Sequence, residues 1–89
     1  MKLDDVVGNG RTNRSEDVVA VKRAFARLGR YAPPKDGPHG IIDRGLDDAI
    51  RNYQEDRDLR VDGWMRPDGE TATRLSYDLA LLDDQEEIT

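Results

Sequence analysis

Apolar residues return along this chain at helical spacing in three places. Within SEDVVAVKRAFARLG, Val18, Val21, Phe25 and Leu28 fall at i, i+3, i+7 and i+10, which predicts a first helix with those four on one face. Ala24 adds a small neighbour. Ser15 suits the helix start, Glu16 and Asp17 the positive end of its dipole, and Gly29 the left-handed residue that ends it. A second stripe of Leu46, Ala49, Ile50 and Tyr53 predicts a helix after Asp43 as N-cap, with Asp47 and Asp48 in its first turn. A third helix is predicted to start near Asp68-Gly69 and to turn Ala72, Leu75, Leu79 and Leu82 inward. Its acidic end sits at the negative pole of the dipole, so fraying is expected after Asp83. The connecting stretches RYAPPKDGPHGII and LRVDGWMRPDGE are rich in Pro and Gly and read as loops. No alternating run of five or more residues predicts a strand, and Leu59 to Val61 is expected to be a short extended piece and no more.

These elements predict an all-α fold, a compact three-helix bundle with long Asp-Gly loops. Residues 15–83 are expected to form the domain, 1–14 a flexible N-terminal arm and 84–89 an acidic C-terminal tail. There is a weak internal echo. At an offset of 28, Val18 falls over Leu46, Val21 over Ala49 and Phe25 over Tyr53, and each helix is followed by an Asp-Gly, at 36–37 and at 62–63. Aspartate bonds its own backbone two residues on and glycine takes positive φ cheaply, so both pairs read first as turns. Gln54 is expected to tie loop backbone to the second helix, and Tyr53 to lie in the core with its hydroxyl reaching the surface.

Composition narrows the function classes. The chain has 89 residues, one domain's worth, and no cysteine, which removes disulfides and thiolate metal sites. His39 has no second histidine to pair with, so no metal site and no cofactor are expected. The net charge of −5 argues against a general nucleic-acid binder, although Gly10 to Lys35 holds seven basic residues against two acids. That run is expected to be a solvated helix face, or else a patch for an anionic partner. No run of 18 apolar residues and no signal-peptide core is present in the sequence, so no membrane partner is expected. The compartment stays unknown; synthesis in the cytoplasm, with release by lysis or within a particle, is the expectation. No Ser-His-acid set and no phosphate-cradling glycine loop is present. The many carboxylates lie mostly on polar helix faces, where a deep glycosidase cleft has little room, so an enzyme is not expected.

The motifs themselves resemble the peptidoglycan-binding domain family, a small helical module of bacterial and phage wall-lytic enzymes. The residues that carry the likeness are Asp17-Val18, Leu28-Gly29-Arg30-Tyr31, Asp36-Gly37-Pro38-His39-Gly40, Ala49-Ile50-Arg51-Asn52-Tyr53-Gln54, Leu59-Arg60-Val61-Asp62-Gly63, then Pro67, Thr71 and Leu75. The likeness covers roughly residues 10 to 76, and its second half is the more specific. Several positions depart from the pattern. His39 stands where the family has a core-plugging aromatic, the segment from Gly40 to Ala49 is longer than usual, and Asp58 replaces a helix-ending glycine. Arg66 replaces a loop glycine, and extra residues follow Pro67.

The resemblance implies non-catalytic binding of bacterial cell-wall peptidoglycan, through glycan or stem peptide, on a shallow loop surface. It also implies that Met65 is the buried aliphatic and that Trp64 projects. An exposed indole suits sugar C–H faces, and Arg66 beside it suits a carboxylate through a bidentate fork. The residues leave two placements of Trp64 open, on the loop surface or partly buried against the third helix or a partner subunit. The expected ligand-binding residues are Trp64 and Tyr31 for stacking, Arg66 for a carboxylate, and Asp62 to hold the loop. A second reading takes the chain as a small structural component of a phage or phage-like particle, with arm and tail as assembly segments. The partners under the two readings are peptidoglycan, an attached lytic enzyme, or the subunits of such a particle.

Overall fold

The computed structural model describes residues 1–88, with side chains as far as Gln85. Along the chain come β1 (Val7–Gly8), α1 (Ser15–Arg27), α2 (Arg44–Asp56), β2 (Trp64–Met65) and α3 (Glu70–Ile88). The three helices make an all-α domain with one small addition. β1 and β2 pair antiparallel, Val7 opposite Met65 and Gly8 opposite Trp64, so the extended piece lies at 64–65 and not at 59–61.

Each predicted stripe is the buried face of its helix. Val18, Val21 and Phe25 of α1, Leu46, Ala49, Ile50 and Tyr53 of α2, and Ala72 and Leu75 of α3 are all in the core. Phe25 and Tyr53, the aromatics that the internal echo aligns, meet edge to face with centroids 5.4 Å apart. Leu79 packs on the core only partly buried, and Leu82 is likewise half-buried.

Two helix ends share one device. Gly29 ends α1 at φ +72, and the Arg30 N–H reaches back to the Phe25 carbonyl at 2.8 Å. Asp58 ends α2 at φ +56, with the Leu59 N–H on the Gln54 carbonyl at 2.8 Å, so a residue with a Cβ holds glycine's conformation. Asp43 caps α2 through the Leu46 N–H at 2.8 Å. Ser15 does not cap α1. It is the first helical residue, Arg14 precedes it without a side-chain cap bond, and a Cβ on Gly40 would fall 2.0 Å from the serine Oγ.

The N-terminal segment, expected as a flexible arm over 1–14, is packed into the domain. Leu3 and Val7 are buried in the core. The carboxylate of Asp17, itself buried, accepts the backbone N–H groups of Asp4 and Asp5 at 3.1 and 3.0 Å. Asn13 then closes the turn after β1 by accepting the Gly8 N–H and donating to the Gly8 carbonyl, each at 2.8 Å. At the other end α3 continues to Ile88, beyond the fraying expected after Asp83. Of the tail at 84–89, Thr89 lies outside the described residues.

Two polar side chains are more deeply placed than their types suggest. Tyr53 is fully buried, and its hydroxyl donates to Asp78 instead of reaching the surface. Burial and that carboxylate push the phenol well above its ordinary value, while Arg57 works against the shift. Lys22 is 2 % exposed, and its ammonium donates to the carbonyls of His39 and Ile41 at 2.8 and 2.7 Å beside the Asp43 carboxylate at 3.2 Å. It pins the long first loop from beneath while the His39 ring stays outside. The basic run is therefore not one solvated face: Lys22 is internal, and Arg27 and Arg30 pair with Asp83 and Asp56.

Candidate functional site

The second loop is built around Gln54, which is fully buried near the end of α2. Its Oε1 accepts the Gly63 N–H at 2.9 Å. Its amide nitrogen lies 2.9 Å from the Asp62 carboxylate, 3.1 Å from the Trp64 carbonyl and 3.0 Å from the Thr71 hydroxyl. Gly63 takes φ +73, and the Asp62 carboxylate accepts the Trp64 N–H at 2.9 Å. The loop thus enters β2 in one register. Successive side chains on an extended segment point to opposite sides, so Met65 drops fully into the core and Trp64 turns away from it.

The indole is partly buried. It lies on the backbone of β1, where a Cβ on Gly8 would fall 2.5 Å from the Trp64 Cδ1. The Arg11 guanidinium sits 4.2 Å from the ring centroid, and Arg66 lies 5.3 Å from it. One face of the ring is thereby covered by a cation. The ring borders a groove of about 320 Å³ that Arg60, Asp62 and Arg66 line from the loop, and Gly69, Glu70 and Thr71 from the start of α3.

Burial pushes the Asp62 carboxyl up, but the Trp64 N–H, the Gln54 amide and the Arg66 guanidinium outweigh it and hold the group below the usual carboxylate range. Arg66 reaches that carboxylate at 3.1 Å. Glu70 accepts the Arg60 backbone N–H at 2.9 Å, and the Arg60 guanidinium makes no ion pair among the described residues. The groove therefore offers an indole, an unpaired guanidinium and a rigid polar rim. That set suits binding of a ligand with apolar faces and carboxylates. Among the described residues no group of three His, Cys, Asp or Glu could hold a metal ion, and no helix is long and apolar enough to cross a membrane.

Asp62, Trp64 and Arg66 share this groove; Tyr31 does not line it. Tyr31 stands by the first loop, its hydroxyl donating to Asp43 at 2.8 Å and its ring 5.6 Å from the Lys22 ammonium. Burial and the Asp43 carboxylate push its phenol up to about 12. A second groove, of about 390 Å³ and lined by Asn9, Ile42, Asp43, Arg44 and Asp47, reaches from the β1 turn to the carboxylate that holds Tyr31. Sequence reasoning missed Gly8 and Arg11, which seat the indole. Their segment has no periodicity, and the glycine and asparagine around Arg11 signal only a turn.

The family model of the peptidoglycan binding domain matches residues 14–75. Neither a curated protein nor a solved structure matches the chain.

Proposed function

This chain belongs to the peptidoglycan binding domain family, and from that membership we propose that it binds cell-wall peptidoglycan without cleaving it, through the groove at Trp64. The free part of the indole stacks on a sugar face. The guanidiniums of Arg66 and Arg60 take stem-peptide carboxylates, and Asp62 holds the loop that presents them. Tyr31, held by Asp43 at the far end of the second groove, serves as an outlying contact for a strand long enough to reach it. The observation that carries the reading is the meeting of Asp62, Trp64 and Arg66 on one rigid groove in a chain of this family.

Arg11 refines the picture of the ring. A cation 4.2 Å from the centroid takes one face, so the sugar stacks on what remains or displaces the guanidinium. Affinity from so small a surface is weak alone and rises when several copies meet a polymeric wall.

Retention on purified peptidoglycan sacculi tests the reading. The wild-type chain is expected to be retained, Trp64→Ala to lose most of that retention, and Arg66→Ala to lose part, with helicity by circular dichroism unchanged. A folded wild-type chain that washes off sacculi at all protein concentrations would sink the proposal.

A further inference from the structure

α3 carries more apolar surface than the core uses. Leu75 is buried inward and Leu79 packs beside it, while Tyr77 and Leu81 are 57 % and 44 % exposed. Arg74, Tyr77, Leu81 and Asp84 follow one another at steps of three, four and three, the alternation that keeps residues on one seam of a helix. All four are exposed among the described residues. The seam is apolar at its centre, positive at one end and negative at the other.

We propose that this seam is the interface of a homodimer in which two copies of α3 pack antiparallel. The charge order selects a second copy in that orientation. About a two-fold axis level with Leu79, Tyr77 of one copy meets Leu81 of the other, and Arg74 meets Asp84, each pair occurring twice. Parallel packing would set Arg74 on Arg74 and Asp84 on Asp84, which like charges oppose. Within its own helix Arg74 bonds Asp78 through Nε at 3.3 Å. That uses one of the five donors of a guanidinium and leaves the others for the second copy. A shallow depression lined by Asp68, Glu70, Thr73, Arg74 and Tyr77 lies at the N-terminal end of the seam, where antiparallel packing lays the last turns of the other helix.

The groove at Trp64 adjoins this seam at Glu70, which lines both depressions. The dimer therefore sets two grooves at opposite ends of a helix pair about 28 Å long, at 1.5 Å per residue over 19 residues. The dimer does not depend on the wall reading, and its test needs no ligand.

Sedimentation of the full chain from micromolar to millimolar concentration is the measurement. The interface is small, so dimer is expected to form at concentrations on the order of 100 μM. Leu81→Lys, at an exposed position, is expected to weaken association at least ten-fold, since it sets two cations at the centre of the seam. Arg74→Asp and Asp84→Arg are each expected to be monomeric. Mixed in equal amounts they are expected to associate again, because both charged contacts of the mixed pair are then of opposite sign. A wild-type chain that stays monomeric to millimolar concentration overturns the proposal. So does a dimer indifferent to Leu81→Lys, or a mixture of two folded charge variants that fails to associate.

Discussion

Gly63 donates its backbone N–H to the side-chain oxygen of Gln54 at 2.9 Å, and through that bond α2 holds the loop at the point where it enters β2. The same side chain serves Asp62, Trp64 and Thr71. Gln54→Ala strips several buried groups of their partner at once. An unsatisfied buried donor or acceptor costs about 1–3 kcal/mol. The variant is expected to lose about 2–4 kcal/mol in urea titration, and its tryptophan emission to shift as the loop loosens.

Gly8 is where the seat of the indole can be tested without replacing a residue that lines the groove. A Cβ there would fall 2.5 Å from the Trp64 Cδ1 and 2.6 Å from the Gly63 carbonyl oxygen, closer than non-bonded atoms approach. Gly8→Ala must push the ring or part the two strands. Overpacking of this kind costs about 1–3 kcal/mol. The expected signature is a changed tryptophan fluorescence with weakened sacculus retention, while the helical circular dichroism persists.

The three helices were legible because Val18, Val21, Phe25 and their counterparts in α2 and α3 repeat at the helical period, and the same residues line the core. The pairing of β1 with β2 was not. Two residues per strand leave no alternation to read, and their partners lie far apart in sequence. Lys22 was misplaced because its charge outweighs its four-carbon stem in any pattern, and only the carbonyls of the first loop reveal why it is inside. Of the site, the turn at Asp62-Gly63 followed from its residue types, and the inward course of Met65 from the family resemblance alone. Arg11 over the indole is a long-range contact with no local signal.

Acid stability follows from three aspartates. Burial pushes the Asp43, Asp62 and Asp78 carboxyls up, but hydrogen bonds and the cations Lys22, Arg66 and Arg57 outweigh it, so each titrates below its ordinary value. A depressed folded value means stabilisation that is fully present above the unfolded value of about 3.9 and is lost as pH falls through the folded values. Denaturant midpoints are expected to be flat from neutral pH down to about 5 and to fall steeply below about 4. Asp78→Asn should flatten that acid limb. Tyr31 acts at the other extreme. Its phenol is raised to about 12, so its share of stability is full below the unfolded value of about 10 and is lost as pH climbs towards 12. Tyr31→Phe should remove the corresponding late step from the near-ultraviolet titration.

Asp58 holds φ +56 at the end of α2. An L-residue with a Cβ is strained there, and aspartate less than most. Asp58→Gly is expected to raise stability by about 0.5–1 kcal/mol in urea titration. The matched change Gly29→Ala, at φ +72 in α1, is expected to lower it by a similar amount.

Val7 lies opposite Met65 in the β1–β2 ladder, and both are sealed inside the domain. During synthesis on the ribosome, Val7 emerges before Met65 and must wait for it. Until the tunnel has released that part of the nascent chain, α1 and α2 can only form an open half-shell, with Val7 and Leu3 uncovered and available to chaperones. Closure of the domain therefore waits for the later of its two strands, although the earlier one has already emerged.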